Sequence, residues 1–202
     1  DLGGSLILGH QIDRSRRLAI QLGVYNGHGE SLNDANGAKS LGLRATLDVT
    51  QKLGVGASFF SHEGIVAISP SFTDSSLRNN AIGLEAQWGQ IGSKGLVLIA
   101  DYLRGEAFAA TKGTMSGLSL VGAYHVRTPS SKAFFAVEPV LRIDLVDPDT
   151  DLANNASTLI SAGINVYLTA RAQLRLMFES QNPELPGAAT IAGLRSGWTM
   201  HF

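Results

Sequence analysis

From 171 to 180 the chain reads Arg-Ala-Gln-Leu-Arg-Leu-Met-Phe-Glu-Ser. Ala172, Leu174, Leu176 and Phe178 fall at every second position, with Arg171, Gln173, Arg175 and Glu179 on the other set. Side chains of an extended strand alternate between two faces, so this period marks a wall between an apolar and a polar environment. On a helix, charges spaced i and i+2 would not share a face. The pattern recurs. Over 135–145, Phe135, Val137, Leu141, Ile143 and Leu145 oppose Glu138, Arg142 and Asp144. Over 41–50, Leu41, Leu43, Ala45, Leu47 and Val49 oppose Arg44, Thr46, Asp48 and Thr50. Over 81–89, Ile82, Leu84, Ala86 and Trp88 oppose Glu85 and Gln87. At the carboxy terminus, Ala192, Leu194, Trp198, Met200 and Phe202 oppose Gly193, Arg195, Gly197, Thr199 and His201.

The stretches 17–26, 53–61, 117–126 and 158–168 repeat the alternation less cleanly. The stretch 96–104 is apolar on both faces and reads as a strand from its flanks and length, and 3–11 completes the set. The expectation is about eleven strands of about ten residues, the length a tilted membrane strand needs. Short turns at 13–15, 50–51, 91–93, 128–131 and 169–170 alternate with long loops at 28–38, 64–78, 108–115, 146–155 and 181–190. The loops are rich in Gly, Asn, Asp, Ser and Pro. A soluble sandwich also has a polar outer face, but it gives no reason for connections that alternate in length, as those of membrane barrels do. The predicted fold is therefore all-β, a transmembrane antiparallel β-barrel forming one domain over 1–202.

Composition agrees. Mean hydropathy is +0.10, yet no pure apolar run is longer than Leu96-Val-Leu-Ile-Ala100, far short of the roughly 18 residues of a membrane helix. The absence of cysteine excludes a disulfide framework and a thiolate metal site. A net charge of −1 gives no basic field for nucleic acid. No secretory leader is visible and the first residue is Asp, so the chain reads as a mature form or a fragment. Strand parity bears on this. If the last strand runs to a periplasmic carboxy terminus, an odd count starts the first strand on the outside, whereas single-chain bacterial barrels have even counts with both ends in the periplasm. Either the count is off by one, at 3–11, or this is the carboxy-terminal part of a longer barrel, which is the reading favoured.

The final alternating strand, closed by Phe202, looks like the ending that bacterial outer-membrane barrels present to their assembly machinery. Three further segments resemble the phosphate-selective porin O and P family. Asp1-Leu-Gly-Gly followed by Leu22-Gly-Val-Tyr-Asn-Gly27 is similar to that family's R-D-x-G strand and G-V-F-N-G. Val137-Glu-Pro-Val-Leu-Arg-Ile-Asp-Leu-Val-Asp-Pro-Asp-Thr-Asp151 resembles E-P-V-x-R-x-D-x-x-x-P. The stretch 158–179 is similar to I-T-x-G-x-N-Y-Y leading into a long alternating strand. The resemblance covers the chain and matches the family's carboxy-terminal half. It implies a barrel of about sixteen strands, a trimer, a constricted pore and an amino-terminal half not included in this chain.

In such a barrel the working surface is the polar lumen, where charge sets ion preference. The expected pore-lining residues are Arg17, Gln21, Arg44, Asp48, Glu85, Gln87, Glu138, Arg142, Asp144, Arg171, Arg175, Glu179 and Arg195. Lumenal arginines suit an anion path, because guanidinium stays charged and hydrogen-bonds phosphate oxygens. Six arginines against five acids on these faces are too even to fix an anion channel. Glu85, Glu138 and Glu179 could neutralise arginines across strands, or the charges could simply solvate a wet interior. Tyr25, Tyr102, Tyr124, Tyr167, Trp88, Trp198 and Phe202 are candidates for interfacial aromatic girdles. Loop 64–78, with Ile68, Pro70 and Phe72, is the longest candidate to narrow the pore or to contact another subunit. Pro139 is awkward mid-strand, since it lacks a ladder donor.

Asp147, Asp149 and Asp151, followed by Asn154 and Asn155, place oxygens at alternate positions as a calcium loop would. They lack the Gly and distal Glu of an EF-hand, and a solvated acidic turn is the simpler reading, so no metal and no cofactor are assigned. The histidines are scattered without metal-site spacing, and neither a Gly-x-Ser-x-Gly nor a phosphate-binding loop is present. The function expected is non-enzymatic: an outer-membrane porin of a Gram-negative envelope, passing small hydrophilic solutes by passive diffusion. An anion or phosphate preference and a homotrimer follow from the resemblance. The partners expected are the lipid bilayer and small solutes or anions, with no nucleic acid. The alternatives are a structural barrel with a blocked lumen anchoring a larger envelope assembly, and an outer-membrane lipid hydrolase.

Overall fold

The structure, a computed structural model, describes residues 3–25, 39–66, 75–90, 93–106, 113–128, 135–169 and 171–200, with backbone alone at 63–66 and 75–77. Eleven strands follow one another: β1 Gly3–Gln11, β2 Arg17–Tyr25, β3 Ser40–Asp48, β4 Leu53–Val66, β5 Ser75–Trp88 and β6 Gly95–Glu106, then β7 Thr114–Arg127, β8 Ala136–Asp147, β9 Ser157–Tyr167, β10 Ala172–Pro183 and β11 Ile191–Met200. They form one antiparallel sheet whose hydrogen-bonded order is the chain order, and the described residues contain no helix. β1 and β11 stand at the two ends of that order, with no pairing between them among the described residues. Each predicted strand is present. The weakest of them, 3–11, pairs with β2 over its full length from Gly3↔Tyr25 to Gln11↔Arg17, so the count of eleven stands.

Predicted boundaries move most at two connections. β4 runs on to Val66 and β5 begins at Ser75, which shrinks the connection expected at 64–78 to 67–74. The connection expected at 128–131 is longer, since β7 ends at Arg127 and β8 begins at Ala136, and the Thr128 N–H donates to the Phe135 carbonyl at 3.0 Å. The short–long alternation is therefore looser than the sequence implies. Ladder hydrogen bonds continue wherever two backbones stay opposed, whether or not their side chains still alternate. Ile68, Pro70 and Phe72, like His201 and Phe202, lie outside the described residues. Pro139 sits opposite Ile164 inside β8 without shifting the register on either side, so the strand forgoes one donor and continues.

Three of the short turns use the same local device. Asp13 Oδ1 accepts from the Ser15 and Arg16 amides, both at 2.9 Å, and Oδ2 from Arg16 Nε at 2.6 Å. Thr50 Oγ1 accepts from the Lys52 and Leu53 amides at 3.1 and 3.0 Å, and Thr169 Oγ1 from the Arg171 amide at 3.1 Å. A short oxygen side chain satisfies amides that no ladder reaches, which is why Asp and Thr open such turns. At Asp13 the Ser15 amide, with the Arg16 side chain next, holds the carboxyl well below the usual carboxylate range. Its folded value thus lies beneath the unfolded one. The contribution of this turn is complete above the ordinary aspartate value of about 3.9 and is lost as pH falls through the folded value. A carbon-13 titration of the folded protein should find Asp13 with a midpoint below that of a peptide aspartate. An ordinary midpoint would mean that these hydrogen bonds do not persist in solution.

The chain divides into two compact units. One is Asp1–Glu85 with Tyr102–Ser116 and Pro148–Asp151, the other Ala86–Asp101 with Gly117–Asp147 and Leu152–Phe202. Within the first, register lines up an apolar row Leu6–Leu22–Leu43–Phe59 across β1 to β4, and beside it Ile7–Gln21–Arg44–Ser58 on the opposite face. Within the second, Leu141–Ala162–Phe178–Leu194 alternates with Arg142–Ser161–Glu179–Gly193 across β8 to β11. A slip of one residue would exchange these faces, so the pattern itself specifies the pairing.

The distribution of burial is the reverse of that in a water-soluble domain. Among the described residues the buried side chains are mostly polar: Ser40, Ser61, Asn79, His125, Glu138, Asp144, Ser161 and Asn165. The buried apolar ones are Ala81, Val97, Ala136 and Met177. Large apolar side chains stand exposed in both units, among them Leu84 at 55% and Phe178 at 50%. Soluble monomers rarely expose contiguous apolar patches beyond a few hundred Å².

Candidate functional site

The second unit's polar face carries a buried network around one carboxylate. Glu138 Oε1 accepts from Asn165 Nδ2 at 2.8 Å and from the Tyr167 hydroxyl at 3.2 Å. Its Oε2 lies 3.1 Å from His125 Nδ1, which donates to it. Arg175 Nε extends the network by donating to Asn165 Oδ1 at 3.1 Å. The placement follows from register: Glu138, Asn165 and Arg175 are direct cross-strand neighbours on β8, β9 and β10. His125 is 2% exposed and meets the Tyr167 ring edge-on, with centroids 4.9 Å apart. Its Nε2 is buried with no partner among the described residues. The carboxylate is thus ringed by donors, an arrangement that fixes the wall of the sheet and leaves little capacity for a further anion.

Further along the same face Arg142 Nε pairs with Asp144 Oδ2 at 2.8 Å, and Arg195 pairs with Glu179 at 3.1 Å. In the first unit Arg44 grips Glu85 with two nitrogens, Nε at 3.0 Å to Oε1 and Nη2 at 2.7 Å to both oxygens. Gly56 makes this possible, because a Cβ there would stand 2.1 Å from Glu85 Oε1.

The expected pore-lining residues divide accordingly. Arg44, Glu85, Arg142, Asp144, Glu179 and Arg195 are joined in ion pairs, and Glu138 and Arg175 share the buried network. Gln21 lies opposite Arg44. Asp48 is exposed opposite Gly54, and Arg17 lies over Gly9, where a Cβ would meet its guanidinium at 3.0 Å. Gln87 bonds the Gly89 carbonyl at 3.0 Å at the end of β5. Arg171 is the exception: it immediately precedes β10, which begins at Ala172, instead of standing on the strand. Neither Arg17 nor Arg171 forms an ion pair among the described residues.

Two residues expected in aromatic girdles are elsewhere. Tyr167 shares the polar face with Asn165 and bonds Glu138, and Tyr25 shares the face of Gln21 and Gly23. Trp88, Tyr102, Tyr124 and Trp198 are exposed, with the parity of their strands' exposed leucines or methionine. His125 was missed by sequence reasoning. Its signal was its place between Tyr124 and Val126, the apolar-side positions of β7, but its partner could not be named without knowing how β7 meets β8.

In the acidic loop Asp149 Oδ1 accepts from the Asp151 amide at 3.1 Å, and among the described residues no three acid or histidine side chains gather as a metal site. No protein-family model matches the chain, and no curated protein matches it in sequence.

Proposed function

We propose that this chain forms the wall of a bacterial outer-membrane porin, passing small hydrophilic solutes by passive diffusion. One observation carries the reading: large apolar side chains stand exposed while the buried side chains are mostly polar. A sheet with that distribution is matched to lipid on one face and water on the other. Strands of 9 to 14 residues are long enough to cross the hydrocarbon core at a tilt. The three segments resembling the phosphate-selective porins agree with it, and with a trimer whose barrels of about sixteen strands include strands beyond these eleven.

The ion pairs refine the selectivity. Arg44, Arg142 and Arg195 each face a carboxylate within 3.1 Å, so their fields largely cancel at distances beyond the Debye length of about 8 Å. Of the remaining expected lining charges, Arg17, Arg171 and Arg175 stand against Asp48 and Glu138, so a weak ion preference follows. The complete protein in a planar bilayer under a potassium chloride gradient should conduct, with a reversal potential near zero. Glu85→Gln, which leaves the Arg44 charge uncompensated, should move that potential toward the chloride equilibrium value. Inserted protein that carries no current would overturn the porin reading.

A further inference from the structure

The polar face of the first unit holds a feature that ion conduction does not use. Tyr25 ends β2 with Gly3 directly opposite, and Gly23 and Gly42 paired one step along the same face. A Cβ at Gly23 would stand 2.5 Å from the Tyr25 hydroxyl oxygen and 2.6 Å from Cε2, and one at Gly3 would stand 2.6 Å from Cδ1. The ring therefore lies down over bare backbone. Phe60 faces Gly42 across the ladder, and a Cβ on Gly42 would be 3.6 Å from Tyr25 and 3.7 Å from Phe60. Beyond it the His62 ring lies nearly parallel to Phe60, at 12° with centroids 6.0 Å apart, and buried Ser40 holds His62 Nδ1 at 2.8 Å. Three rings thus run in sequence across β2 and β4, with glycine between the first two.

Beside them stands the Arg44–Glu85 pair, whose side chains keep 53% and 30% of their surface exposed. Tyr25, Phe60, Gln21, Arg44 and Ser58 line one cleft of about 510 Å³, within the size range of small-molecule sites. Its charge is balanced. The guanidinium is engaged by the carboxylate, so the cleft offers N–H donors and oxygen acceptors without the net positive charge that would hold phosphate.

We propose, on the porin reading above, that this cleft is a subsite for the pyranose ring of a neutral sugar. A pyranose has one face of weakly positive C–H groups, complementary to the negative face of an aromatic ring. Its hydroxyls both donate and accept, so they need mixed neighbours such as Arg44, Gln21 and Ser58. Rings laid along the wall give shallow contacts in series, which a permeating solute can enter and leave.

The test uses the complete protein in detergent micelles with maltotriose as the probe, read by saturation-transfer NMR, alongside conductance in a planar bilayer. Binding should saturate. Its half-saturation concentration should rise about tenfold in Tyr25→Ala and in Phe60→Ala, the scale of one aromatic contact. Tyr25→Phe, which keeps the ring face, should restore it. Gly23→Val, which displaces the Tyr25 ring without removing it, should reproduce the loss, and heat-modifiable migration on gels checks that each variant folds. Absence of saturable binding, or half-saturation unchanged in both alanine variants, overturns the subsite. The two readings fail separately. A protein that conducts without binding maltotriose keeps the pore and loses the subsite, and one that binds it without conducting keeps the subsite and loses the pore.

Discussion

Replacing Glu138 with alanine is expected to cost the folded sheet roughly 3–5 kcal/mol, since each buried donor left without its acceptor costs about 1–3 kcal/mol. Three donors converge on that carboxylate from β7 and β9, and each loses its acceptor together. Asn165 also orients Arg175, so the damage reaches β10. Glu138→Gln should cost less, since its remaining oxygen still serves Asn165 or Tyr167 while its amide meets His125 donor to donor. Glu179→Ala provides the contrast. Its partner Arg195 is 72% exposed, and such pairs contribute at most about 1 kcal/mol. Urea unfolding in phospholipid vesicles, followed through Trp88 and Trp198, measures all three. A Glu138→Ala loss no larger than that of Glu179→Ala would show that the network does not hold the wall.

The second large effect separates membrane from water. Leu43→Arg and Leu176→Arg, one in each unit, place a charge in the middle of the exposed apolar face. In a bilayer each should cost about 2–4 kcal/mol, depending on depth. At an exposed position of a soluble sheet the same change stays within about 0.5 kcal/mol. The polar-face change Gln21→Arg, one position from Leu22, should be tolerated in either setting. Folding yield and unfolding free energy in vesicles decide it: if both leucine variants fold as well as the parent, the apolar face does not contact lipid.

Much of this was legible because period two is a physical consequence of a sheet between two environments. The alternation of Leu174, Leu176 and Phe178 with Arg175 and Glu179 sets the two faces of β10 from the sequence alone. Within each unit the register keeps such alternating positions in rows, Gln21 beside Arg44 in the first and Arg142 beside Ser161 and Glu179 in the second. The misses have a common cause. Side-chain alternation shows where two environments differ, but a ladder continues past that point, so β4 runs on to Val66 and β5 starts back at Ser75, inside the loop expected at 64–78. Aromatic residues suit either face, so Tyr25 and Tyr167 were placed with the girdle. What put them on the polar side was the parity of Gly23 and Asn165, which one sequence carries but does not rank. The partnership of His125 with Glu138 depends on which residues face each other across β7 and β8. No local pattern encodes that.

The strand order has a kinetic consequence. Since each strand lies beside its neighbours in the chain, every contact in the ladder can form by closing one hairpin at a time. Turns such as 12–16 and 49–52 close only short segments, at small loop entropy. Local contacts of this kind speed folding relative to sheets with crossing connections. Each finished hairpin also presents the edge on which the next strand zips, so assembly can advance directionally along the chain. A sandwich of equal strand number would have to hold distant strands together before any pairing rewarded it.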